Sequence, residues 1–372
     1  MRNTSLRYTC LLAGGLLVCL SAVAEAAPPP LDIPLSAMES GLLSSQQKQA
    51  ISDRVAYWFG QIETAEKPED ILAARLGLRN DFRRYDFPEY NLTYARQSAA
   101  AAEKLLAKPL GGRLGPARKI NAALALAGMP QVPIQPVLDK LVADDNPAIR
   151  YIGWEGYQGV KMRVLAQRTG VVDRMLASMK ARAQAESEPP VLSMLIRALY
   201  FPSRNLVSVD AEDLARAQKQ SAALVDTIWG KLCQGVIAGD LPRSETARKS
   251  LSVVAAMAQD EGYVEAKNEI MQNLIDAAWC AAKLYDRTRG EKNIGESAIQ
   301  LLNETEAALN AVTGRENRHI VGVLADRTMV EKGAAVQLAV LKWIDELKKD
   351  YGVKQPAMRA PATTRPAAES GS

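Results

Sequence analysis

The chain has 372 residues, 48% hydrophobic and 24% charged, with one histidine, four cysteines and a formal net charge of +4. The apolar share is that of a folded protein, which excludes wholesale disorder, and four cysteines exclude a disulfide-dense scaffold. One histidine removes most zinc and imidazole chemistry, and the near-neutral charge gives nucleic acid no electrostatic footing.

The chain opens with Arg2 and Arg7, then runs through apolar and small residues from Tyr8 to Val23. Ala22-Val23-Ala24 and Ala24-Glu25-Ala26 follow as small-x-small sites. This is the layout of a secretory signal peptide over residues 1–26. The apolar run of about 16 residues falls short of the roughly 20 that span a bilayer. The expectation is an exported protein, periplasmic or extracellular, with no transmembrane helix after cleavage. Cleavage removes Cys10 and Cys19 and leaves Cys233 and Cys280. These two either pair in an oxidising compartment or sit as small buried hydrophobes on separate helices, and the sequence leaves both open.

Residues 27–43, with Pro28, Pro29, Pro30 and Pro34, read as an extended lead-in. An N-terminal helical cap is expected over 44–104. Ser44 and Gln47 have capping-box spacing, and Ile51, Val55, Trp58 and Ile62 follow at helical intervals. Pro68-Glu69-Asp70 opens a second helix with acids at its positive end. Eight aromatics fall between Tyr57 and Tyr94. Among them, Arg83, Arg84, Tyr85, Phe87 and Tyr90 form a candidate interaction surface, because aromatics and arginines on a connecting segment have the composition of a binding hot spot. The competing reading is that they fasten an irregular connection onto the first helices.

Residues 105–352 read as a helical repeat-like domain. Helices are expected near 116–127, 134–143, 147–168, 171–185, 190–200, 211–238, 244–259, 263–286, 293–311 and 328–350. Asn205 to Val209 and His319 to Leu324 are short, partly β-branched runs, but no hairpin turn joins them. The glycine-rich loop Leu110 to Gly115 has no Gly-Lys-Ser/Thr behind it, so it reads as a turn and not as a phosphate cradle. The fold class expected is all-α, with antiparallel helix pairs stacked as an irregular α-solenoid and no significant β-sheet.

One segment, Leu141-Val142-Ala143-Asp144-Asp145-Asn146-Pro147-Ala148-Ile149-Arg150-Tyr151, resembles the turn and second-helix start of a HEAT-type repeat. Gly115-Pro116-Ala117-Arg118 and Glu188-Pro189-Pro190-Val191 echo it at irregular spacing. The resemblance implies a protein-binding scaffold. Just after it, Gly153, Trp154, Gly156 and Tyr157 form a second candidate, since glycines along one helix face admit either a neighbouring helix or a ligand. The tail, 353–372, reads as disordered, since from about Gln355 it has three prolines and one large apolar residue, Met358.

Chemistry-bearing motifs are sparse. Ser45-Gln46-Gln47-Lys48 has a Ser-x-x-Lys spacing without its partner motifs, and it already serves as a helix start. Glu39-Ser40, Glu186-Ser187 and Glu296-Ser297 match only the first two letters of the lytic transglycosylase glutamate motif. His319 has no ligand-spaced neighbours. The expectation is a non-catalytic interaction scaffold whose partner is another protein, with no cofactor, metal or nucleic acid. The alternatives are an envelope enzyme acting on glycan through one carboxylate, or a helical module holding a small apolar ligand.

Overall fold

A computed structural model describes residues 27–167, 171–204, 207–288 and 291–356. The expected leader, 1–26, and most of the expected tail, 357–372, lie outside the described residues. Fifteen α-helices and no strand occur among the described residues. They are α1 (Leu35–Ser40), α2 (Ser45–Thr64), α3 (Pro68–Arg84), α4 (Pro88–Leu106), α5 (Gly115–Ala127), α6 (Gln135–Leu141), α7 (Pro147–Leu165) and α8 (Val171–Ala185). Then come α9 (Pro189–Leu199), α10 (Ala211–Ala238), α11 (Leu241–Gln259), α12 (Lys267–Arg287), α13 (Lys292–Thr313), α14 (His319–Ala325) and α15 (Lys332–Tyr351).

The helix starts follow from local chemistry. Prolines occupy the first turn of α3, α4, α5, α6, α7, α9 and α11, where a missing N–H costs nothing and a fixed φ helps. The Ser44–Gln47 capping box is complete: Ser44 Oγ accepts from Gln47 N at 3.2 Å, and Gln47 Oε1 accepts from Ser44 N at 2.7 Å. Asn146 caps α7, and Asp210 caps α10.

The helices stack in two layers. In one, α3, α5, α7, α9, α11 and α13 pack in succession. In the other, α2 packs on α4, α4 on α6, α8 on α10, α10 on α12, and α12 on α15. Contacts between sequence neighbours, such as α6 with α7 and α10 with α11, join the layers. The result is an irregular α-solenoid of antiparallel helix pairs. A single hydrophobic core runs from Leu31 to Val353, because each pair leaves an apolar stripe that only its neighbours can cover. Arginines on the odd helices tie neighbouring pairs: Arg118 and Arg150, in the first turns of α5 and α7, donate to Ala65 O at 2.7 Å and grip Glu186, and Arg248 within α11 reaches Glu304.

Three segments differ from the sequence expectation. Leu35–Ser40, inside the lead-in, is helical, starting behind Pro34 and ending at Gly41 with φ 66°. His319–Ala325 is helical although β-branched, because a distant carboxylate caps it: Glu306 accepts from Ile320 N at 2.8 Å and Val321 N at 2.7 Å. The start of the tail is fastened, with Val353 buried and Lys354 N donating to Gln272 Oε1 at 2.8 Å. No helix among the described residues is long and apolar enough to cross a membrane.

Candidate functional site

The first candidate region is assembled by α3, α4 and the lead-in. Tyr90 and Tyr94 are fully buried and Phe87 nearly so. Tyr90 packs against Tyr85 and Tyr94 with ring centroids 5.1 and 5.6 Å apart. Tyr85 Oη donates to Leu31 O at 3.0 Å and accepts from Ile33 N at 3.3 Å, which holds the lead-in down. Beneath the rings, Asp81 accepts from Arg54 Nη2 at 2.9 Å and also from Trp58, while Arg54 Nη1 donates to Pro29 O at 2.7 Å. Burial pushes the Tyr90 and Tyr94 phenols far up, so both stay neutral. Arg83 and Arg84 are exposed, and Arg84 lies over the Tyr85 ring at 5.4 Å. Arg84, Tyr85, Phe87 and Tyr90 do meet, but Phe87 and Tyr90 face inward and Tyr85 fastens the lead-in at Leu31 and Ile33. Only the two arginines and part of Tyr85 are open to a partner.

The second candidate region is also interior. Trp154 and Tyr157 are fully buried. A Cβ at Gly153 would lie 2.8 Å from Val142 Cγ1 and 2.9 Å from Val142 N, and one at Gly156 would lie 2.5 Å from Leu138 Cδ2. The bare face of α7 is therefore filled by α6 and the turn behind it. Tyr157 Oη donates to Asp139.

A third region was not anticipated. Between α10, α12 and the segment following α15 lies a cleft of about 780 Å³. Trp279, Cys233, Cys280, Ile237 and Tyr351 supply its apolar lining. Its rim is polarised along α12. Glu269 and Asp276 stand towards the helix start, with Asp226 of α10 and one cation, Lys354, while Lys283 and Arg287 stand towards its end. Lys283 lies over the Trp279 ring at 4.7 Å and donates to Gln337 Oε1 at 2.6 Å. Gln355 and Pro356 close one side. These residues come from three distant stretches, each of which reads alone as an ordinary amphipathic helix or a chain end. No local motif could have announced the cleft.

The glutamates singled out by the Glu-Ser spacing are dispersed. Glu39 and Glu296 are exposed on separate helices. Glu186 is buried, but it is bound by Arg150 and by the N–H groups of Ser187 and Glu188. The pKa of the Asp139 carboxyl is raised. Burial pushes it up, against the hydrogen bonds from Tyr157 and Gln135. His319 Nε2 lies 2.7 Å from Glu346 Oε1, with its ring edge-on to Trp343 at 5.7 Å. No group of three or more metal-ligating side chains occurs among the described residues. No protein-family model and no curated protein matches the chain.

Proposed function

We propose that the chain is an exported α-helical repeat protein, of the periplasm or cell envelope, that serves as a non-catalytic scaffold for another protein. The segment Leu141–Tyr151, with its HEAT-type pattern, belongs to this reading. The observation that carries it is the cleft beside Trp279. Its apolar floor takes a large apolar side chain, and its rim, acidic towards the start of α12 and basic towards the end, takes residues of opposite charge on either side. A short extended peptide segment of a partner has this chemistry: one apolar anchor between a basic and an acidic residue.

The test is a peptide array in which one aromatic or aliphatic anchor is flanked by basic and acidic residues, by two bases or by two acids. The full chain is expected to prefer the mixed flanks. Lys283→Glu combined with Arg287→Glu should shift the preference to two basic flanks, and Trp279→Ala should abolish anchor dependence. A preference that ignores the charge reversal would remove the cleft from this role.

The glycan alternative rests on Asp139, held towards its protonated form beside Tyr157. Its check is release of soluble fragments from peptidoglycan by the full chain, lost in Asp139→Asn.

A further inference from the structure

We propose that Cys233 and Cys280 are an oxidisable pair that joins α10 to α12 by a disulfide at the floor of the cleft. Both side chains line that cleft, and they are 8% and 4% exposed. Both are free thiols, and across the two helices they stand near enough for Cys280 to perturb Cys233. The meeting is enforced by the backbone around it. One turn before Cys233, the Trp229 indole donates to Asn273 O at 2.6 Å. One turn beyond Cys233, Arg287 donates to the Ile237 carbonyl. The two helices are thus pinned on either side of the sulphurs. No third cysteine, histidine or carboxylate completes a metal-ligating group with the pair among the described residues.

The oxidant is an external disulfide, either small such as oxidised glutathione or carried on a protein. A thiolate of the pair attacks it, a mixed disulfide forms, and one external thiol leaves. The second thiolate attacks the protein sulphur of the mixed bond and expels the other external thiol. Two protein S–H bonds and one external S–S bond break. One protein S–S bond and two external S–H bonds form, and two electrons pass to the oxidant. Contact with Cys280, together with burial, pushes the Cys233 thiol up. The exchange is therefore slow, and it is followed for hours on the alkaline side. Once formed, the bond encloses α11 in a covalent ring and fixes the spacing of the helices that bear Trp279 and Ile237.

The experiment equilibrates the folded full chain with oxidised glutathione, quenches with acid, unfolds it and labels the remaining thiols with a maleimide. Tryptic peptides 232–243 and 268–283 are then weighed. The expected result is one disulfide-linked pair of these peptides, with a ratio of linked to glutathione-capped chain at least tenfold above that of the unfolded chain at equilibrium, and both peptides labelled after reduction. In Cys233→Ser, the Cys280 peptide should appear alone, labelled or as its glutathione adduct. Two labelled peptides after equilibration would overturn the proposal, as would linkage between two chains or a ratio of linked to capped chain no higher than in the unfolded chain. The linkage is read in the peptides whatever the cleft holds, so its failure leaves the peptide-array result standing.

Discussion

Arg150 grips Glu186 with two parallel hydrogen bonds, Nε to Oε2 at 2.8 Å and Nη2 to Oε1 at 3.0 Å. The same guanidinium donates to Asp144 O at 3.0 Å and Asp145 O at 2.9 Å. The same carboxylate accepts from Ser187 N and Glu188 N, both at 3.0 Å. One ion pair therefore joins the turn before α7 to the turn before α9. Removing one partner strands a buried charge, so Arg150→Ala should cost about 3–5 kcal/mol in urea unfolding. Replacing both partners with methionine should restore much of that loss. Intact stability in Arg150→Ala would mean that the pair is not a structural joint.

The same pair sets an acid limb. Burial pushes the Glu186 carboxyl up, but Arg150 and the two N–H groups outweigh it and hold the pKa below the usual 4.5. The folded chain thus binds this proton less readily than the unfolded chain. Its stabilisation is present above the usual carboxylate pKa and is lost as pH falls through the lower folded one. Glu186→Gln should flatten the acid side of the curve of urea midpoint against pH, which wild type would show as a steeper fall.

Lys161 predicts a slope of the same sign in a more alkaline window. It is 4% exposed and donates to Arg197 O at 3.1 Å, Ala198 O at 2.9 Å and the Tyr200 carbonyl. Burial pushes its ammonium from 10.5 down to about 7. Between these values the unfolded chain holds a proton that the folded chain has released, so this term makes stability rise with pH across that window. Lys161→Met should remove the rise. It also leaves the carbonyls at the end of α9 without their donor, a loss of about 2 kcal/mol at neutral pH. A pH profile identical to wild type would refute the assignment.

Gly153 and Gly156 should respond differently to alanine. At Gly153 the new methyl meets Val142 N at 2.9 Å, a backbone atom that cannot rotate away. At Gly156 it meets Leu138 Cδ2 at 2.5 Å, the far end of a flexible side chain. Alanine gains about 1 kcal/mol of helix propensity at either site. The expected outcome is a net loss of about 2 kcal/mol for Gly153→Ala, and a smaller change for Gly156→Ala. Calorimetry of the two variants gives the order, and a reversed order would contradict the packing.

In the N-terminal region, Tyr90→Ala should lower stability by about 3–5 kcal/mol, since it empties a fully buried ring site. Tyr85→Phe should loosen residues 27–34, seen as faster proteolysis ahead of α2. Arg83→Ala and Arg84→Ala, on the exposed face, should leave the free energy of unfolding within about 1 kcal/mol of wild type. A weak effect of Tyr90→Ala would mean that the cluster does not fasten the lead-in.

Much of the fold was legible because its signals are local. Ser44 with Gln47, Asn146 with Pro147, and Asp210 with Glu212 mark their own helix starts, and stripes such as Ile270, Leu274, Ala277 and Ala281 mark buried faces. What escaped was non-local. α14 depends on Glu306, a residue of α13, and too few turns follow for a period to show. Lys161 reads as one more helix cation until the end of α9 closes over it. The cleft joins Asp226, Trp279 and Pro356, and only stacking brings them together. The arginine and tyrosine cluster had the composition of a surface hot spot, but composition does not reveal which way a ring points. There the rings of Phe87 and Tyr90 point inward.

Pro356 lies on the wall of the cleft. Anything attached behind it is therefore leashed to the cleft's mouth. A peptide joined directly to Pro356 would be held there at an effective concentration on the order of millimolar, enough to outcompete a modest ligand added from solution. A purification handle or fluorophore placed at that position would act as a built-in competitor, and a partner peptide fused there would report on the cleft within one molecule.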